Sequence, residues 1–152
     1  MKRIALFVLT ALAVTALVLA LSPVSVRAER SVFPTGTYTT TITAEDVAKY
    51  GLPSPYPEIL VGNWEMIFGE DGSWEITNLR TGQSGQGTYM ANPAVLIFGK
   101  DTGYLDCIPP GDAVYKWSAS GKTLILTATS DRSDRCWGRY IVNTSHPLVK
   151  QP

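Results

Sequence analysis

The sequence predicts an all-β protein, an antiparallel up-and-down barrel of eight to nine strands with one short helix after the first strand. Three observations predict it. Residues 60–74 form the clearest unit: Leu60, Trp64, Met66 and Phe68 share one parity, and Asn63 and Glu65 take the other. A period of two buries one face of a strand and wets the opposite one. Gly69-Glu70-Asp71-Gly72 then reverses the chain, because Asp-Gly supplies the positive φ of a hairpin turn, and Trp74 and Ile76 resume the buried parity opposite Glu75 and Thr77. The second observation is repetition. Segments of five to ten residues with this character succeed one another through residues 36–143, joined mostly by short turns bearing Gly or Asp. The third is size: a chain of 152 residues is one domain, and a meander in one small domain hides its edges by closing on itself.

Residues 36–43 are the first strand, rich in threonine, with Tyr38, Thr40 and Ile42 on one face. Thr43 and Asp46 form an approximate capping box, which starts a helix of about two turns ending at Gly51. So short a helix must pack on something, and it would lid the barrel or plug one end. Pro53, Pro55 and Pro57 are expected to keep the following stretch extended. After the central hairpin, residues 80–85 read as a flexible turn and 88–91 as a strand built on Tyr89. Residues 94–98 are an apolar strand whose parity cannot be read, because both faces are apolar. A turn at 100–103 leads to a short strand at 104–108. Ala113, Tyr115 and Trp117 alternate with Val114, Lys116 and Ser118, residues 119–122 turn, and Leu124, Leu126 and Ala128 alternate with Ile125 and Thr127 in the next strand. A charged loop at 130–135 precedes a last strand at 138–143, and residues 144–152 read as a tail.

Residues 1–28 read as a secretory signal. Lys2 and Arg3 precede eighteen apolar and small residues at 4–21, and Val26-Arg27-Ala28 offers a cleavage site after Ala28. The alternative is an uncleaved anchor, the one case in which a membrane becomes a partner. Residues 29–35 would then be a leader to the barrel of residues 36–143, in a secreted, periplasmic or cell-envelope protein. Taking 28 residues from 152 leaves 124, with ten basic against thirteen acidic side chains and a net charge of −3. These charges are scattered singly, so no nucleic-acid partner is expected. In an oxidising compartment Cys107 and Cys136 are expected to form a disulfide, the alternatives being two free thiols or a metal pair. His146 is the only histidine and the cysteines lack short ligand spacing, so no metal and no cofactor is expected.

Gly62-Asn63-Trp64 resembles the Gly-x-Trp signature of the lipocalins, within the calycin group that also holds the fatty-acid-binding proteins. The resemblance implies that Gly62 and Trp64 are structural, and that Arg139, on the last strand, packs across Trp64 at the closed end of the barrel. The chain departs from the lipocalin pattern in placing a strand and a helix before the motif. The strand–helix–meander order is closer to the fatty-acid-binding layout, which has two helices and no export signal.

Catalytic parts are missing. His146 sits in the expected tail beside Pro147, Glu65 and Glu75 fall on the wetted parity, and no phosphate loop or dinucleotide fingerprint occurs, so no enzyme is expected. The aromatic set is more informative. Tyr38, Trp64, Phe68, Trp74, Tyr89, Tyr115 and Trp117 all fall on parities that can point inward. They suit a pocket that grips an apolar body, and equally serve as filler. The expected function is binding of a small, largely apolar ligand. The alternative is a stapled barrel acting through protein contact, as a protease inhibitor does, with its leader at residues 31–35. Asn143-Thr144-Ser145 matches a glycosylation acceptor.

Overall fold

A computed structural model describes residues 32–52, 55–103, 112–129 and 136–152. The expected signal segment, the start of the expected leader, the strand expected at 104–108 with Cys107, and the charged loop expected at 130–135 lie outside those residues. Eight strands run in chain order: β1 Gly36–Ile42, β2 Gly62–Phe68, β3 Ser73–Asn78, β4 Ser84–Ala91, β5 Val95–Gly103, β6 Ala113–Ser120, β7 Thr123–Ala128 and β8 Leu148–Lys150. Each pairs antiparallel with the next, and β8 returns to β1, so the sheet closes into a barrel. The all-β antiparallel barrel expected from the alternation is therefore the fold. Three short helices accompany it: α1 Ala44–Ala48, α2 Tyr56–Leu60 and α3 Trp137–Thr144.

The central hairpin forms as its pattern requires. Phe68 pairs with Trp74, Met66 with Ile76 and Trp64 with Asn78, and all six side chains are buried. The turn is locked by Asp71, whose Oδ1 accepts from the Ser73 amide at 3.0 Å and hydroxyl at 2.6 Å. Gly72 takes a φ of +82°, which a side chain would strain. The capping box at α1 is present in both directions, with Thr43 and Asp46 each bonding the other's backbone.

Five expectations are corrected. Residues 138–143 are not the last strand but the body of α3. Gly138, Arg139, Ile141, Val142 and Asn143 are its buried residues, a spacing that fits a 3.6-residue period and not a period of two. The reason is tertiary. β8 is three residues long and reaches only Tyr38 and Thr39 on β1 and Thr123 and Leu124 on β7. Below it the wall between β1 and β7 lacks a strand, and α3 packs against both. Residues 144–152 are consequently more than a tail, because they supply the closing strand. The stretch after Pro55 is not extended: Tyr56–Leu60 makes a helical turn with proline in its first positions, where no amide is required. Leu60, read as part of the hairpin strand, is buried at the end of that helix. Finally, the turn expected at 100–103 is strand, because β5 runs on to Gly103, and the turn expected at 119–122 shortens, because β6 runs on to Ser120.

Candidate functional site: the barrel interior

The two ends of the barrel differ. One end, the mouth, carries the β2–β3, β4–β5 and β6–β7 turns, and the chain arrives there just before Gly36. The other end, the floor, carries α1, α2 and the β3–β4 turn.

At the mouth the aromatic side chains meet. Phe33, from the segment before β1, lies with its ring centroid 5.0 Å from Phe68, 5.4 Å from Tyr89 and 5.3 Å from Trp117. Tyr38 stands 5.9 Å from Phe68, and Phe68 is 6.1 Å from Phe98. Phe98 then meets Trp74 at 5.3 Å and Tyr115 at 5.7 Å, both edge-to-face. Such pairs gain about 0.5–1.5 kcal/mol beyond their buried area. The polar tips are anchored to backbone: Tyr38 donates to the Pro34 carbonyl at 2.8 Å, Tyr89 to Gly69 at 2.7 Å and the Trp117 indole to Asn92 at 2.8 Å. Burial raises the Tyr38 phenol above its usual value, with neighbouring Tyr89 adding to it, so it stays a neutral donor. Tyr89 is raised likewise, by burial and by Asp71 and Glu70.

Six of the seven predicted pocket aromatics, Tyr38, Phe68, Trp74, Tyr89, Tyr115 and Trp117, thus belong to one network of ring contacts. The seventh, Trp64, is buried too, but serves the floor. Its indole donates to the Leu60 carbonyl at 2.8 Å. Asn78 donates to Ile59 at 2.9 Å and Arg80 to Val61 at 2.9 Å, while the Arg80 guanidinium also reaches the Glu58 carbonyl. Side chains of the β2–β3 hairpin and its following turn therefore satisfy the orphan carbonyls of α2. Gly62 is structural for a visible reason: its φ is +141°, and a Cβ there would stand 2.8 Å from Asn78 Oδ1.

The placement expected of Arg139 is corrected. It sits on α3 rather than a strand, its ion pair is with Asp101 on β5, and its guanidinium lies 6.0 Å from the Phe98 ring. Both side chains are nearly inaccessible. Burial brings the Arg139 pKa down to about 10, which leaves it charged at neutral pH. Asp101 points inward because the β4–β5 register shifts between Gln86 and Thr88, and such an irregularity re-aims the side chains beyond it. Gly87, opposite the shift, makes room: a Cβ there would stand 2.8 Å from Trp74 Nε1 and 3.0 Å from Asp101 Oδ1.

Sequence reasoning missed Phe33, Phe98, Asp101 and Asn143 as interior groups. Phe98 lay in a run without readable parity, Asp101 in an expected turn, and Asn143 in an expected strand. Asn143 is 1 % exposed, so its glycosylation motif is turned into the interior of the folded chain. His146, expected in a tail, instead holds Asp46 of α1 at 2.8 Å. Burial pushes the Asp46 carboxyl up, but the Thr43 amide and hydroxyl, His146 and Lys49 outweigh it and hold it well below the usual carboxylate range.

Among the described residues no group of three or more His, Cys, Asp or Glu gathers as a metal site, and no free cysteine occurs. No helix among them is long and apolar enough to cross a membrane. A groove of about 550 Å³ lies on the outer wall, where Ile67, Glu75, Gln86 and Thr102 form one row across β2 to β5. No family model matches the chain, and neither a curated protein nor a solved structure matches it.

Proposed function

We propose that this protein is an exported, calycin-like barrel that holds a small, largely apolar ligand in its aromatic interior. One observation carries the reading. The mouth already accepts an apolar ring from outside the barrel wall, since Phe33 sits edge-on between Phe68 and Trp117 and beside Tyr89. A cup that seats a phenyl group from its own leader has the shape and chemistry to seat one from a ligand. Phe33 is then a competitor for the mouth, held by the Tyr38–Pro34 hydrogen bond. The export signal at residues 1–28 and a Cys107–Cys136 staple ahead of α3 belong to the same proposal.

The test is ligand binding to the purified protein, read by tryptophan quenching and native mass spectrometry across apolar alcohols, amides, acids and ring compounds. The expected result is one-to-one binding, with Phe33→Ala speeding association. Absence of binding across the whole panel, in both the parent protein and Phe33→Ala, would sink the reading. The outer groove and its exposed Ile67 favour a second reading, contact with another protein. Capture of a specific partner that is lost on Ile67→Glu, together with an empty ligand panel, would select it.

A further inference from the structure

Among and beyond the aromatic rings the barrel also buries polar atoms that have no protein partner. Thr40 on β1, Trp74 on β3 and Asn143 on α3 are 7 %, 3 % and 1 % exposed. Thr40 Oγ1, Trp74 Nε1 and both Asn143 amide atoms, Nδ2 and Oδ1, make no hydrogen bond. A buried polar group left so costs about 1–3 kcal/mol, and folded proteins tolerate few. Asn143 is the sharpest case, because its amide offers donors and an acceptor together. Thr40 shares the inward parity of Tyr38 and Ile42. Asn143 lies one helical turn beyond Arg139 on the buried side of α3, which packs against β1.

Charge narrows what these groups can recognise. The Arg139 guanidinium is paired with the Asp101 carboxylate inside the barrel, so this interior cation is already neutralised. Thr40, Trp74 and Asn143 carry no charge. An incoming carboxylate would have to displace Asp101 from Arg139 or be buried uncompensated, and a buried unpaired charge is strongly unfavourable. A hydroxyl or a primary amide, able to donate and accept at once, meets the unpartnered atoms with no such penalty.

Resting on the ligand-binding reading above, we infer that the interior selects amphiphiles with a neutral hydrogen-bonding head, an alcohol or a primary amide, over the matching carboxylates. The head lies at Asn143 and Thr40, and the hydrocarbon body runs along Phe98 and Phe68 toward the mouth.

The experiment compares alcohol, primary amide, carboxylate and headless hydrocarbon of matched chain length, at neutral pH, by quenching of the intrinsic tryptophans. Alcohol and amide are expected to bind about tenfold or more tightly than the carboxylate, a difference of one good hydrogen bond or more. Asn143→Leu is expected to remove that advantage while leaving the headless hydrocarbon's affinity within about twofold. Carboxylate binding as tight as amide binding overturns the head-group inference and leaves the ligand-binding reading standing. The same holds if Asn143→Leu, shown folded by circular dichroism, keeps its full preference for the amide. Binding of none of the four overturns both, and ordered water is then the partner of Asn143.

Discussion

The mouth and the floor of this barrel each pack a tryptophan against a short non-strand segment and are held together differently. At the mouth, Phe33, Phe68, Tyr89 and Trp117 meet ring against ring; the Tyr89 and Trp117 tips are tied to backbone carbonyls, but Phe33 is held by ring contacts that have no fixed partner chemistry. At the floor, Trp64, Asn78 and Arg80 hold the carbonyls of α2 through directed hydrogen bonds. Dispersion and area terms tolerate exchange of one apolar group for another. A carbonyl that loses its donor in a buried site does not. The difference assigns exchangeability to the mouth and permanence to the floor, the division that the proposed loading of a ligand from one end would require.

The buried pair beneath the mouth gives the largest expected effect. Asp101→Ala leaves Arg139 charged and inside the barrel, and is expected to cost about 3–5 kcal/mol in urea unfolding. Replacing both members, Asp101→Leu with Arg139→Met, is expected to recover most of that loss, because the penalty is the uncompensated charge. Should the double variant stay as unstable as the single one, the pair positions α3 against β5 in a way that apolar packing does not replace.

Phe33→Ala comes next. A core phenylalanine truncation costs about 3–5 kcal/mol, but Phe33 lies before β1 and belongs to no strand or helix, so its loss is expected to loosen the mouth more than the barrel wall. About 1–2 kcal/mol is therefore expected in global unfolding, with faster amide exchange confined to the mouth turns. A full core-sized loss would show that the mouth is as permanent as the floor.

At the floor, Trp64→Phe keeps an aromatic body and removes the donor to Leu60. It is expected to cost about 1–3 kcal/mol, with exchange protection lost in α2 and kept at the mouth. A variant as stable as the parent would break the contrast from the other side.

The smallest effect is a pH dependence. The Asp46 carboxyl is lowered in the folded state from its ordinary 3.8, so its contribution is complete above that value and fades as pH falls below it. The parent should lose about 1 kcal/mol more than Asp46→Asn on acidification from neutral pH to below pH 4, the scale of an N-cap contact. Parallel pH profiles for the two proteins would contradict the assignment.

Legibility followed locality. The β2–β3 hairpin could be read because Trp64, Met66, Phe68, Trp74 and Ile76 alternate cleanly and Asp71-Gly72 names the turn between them. The α1 capping box spans four residues, Thr43 to Asp46, and was equally plain. Much of the aromatic lining followed from parity alone. Phe98 did not, because Ala94 to Phe98 is apolar on both parities, and only pairing with Tyr89 and Ala113 decides which side faces in. Asp101 escaped because a register shift in the β4–β5 pairing, between Gln86 and Thr88, changes the face on which it lies. Residues 138–143 have strand-like composition, with Tyr, Ile and Val, and their true period shows only once the gap beside β8 exists to be filled.

Alternation and turn chemistry, written within a few residues of chain, determined by themselves that this protein is a barrel of antiparallel strands with an aromatic lining. What closes the wall, where Arg139 finds its countercharge and why Asn143 lies inside were decided by the tertiary structure. Those outcomes join residues far apart in sequence, such as Arg139 with Asp101 and β8 with β1. A wall can be seen to lack a strand, and a buried charge to need a partner, only after the rest of the barrel has formed around them.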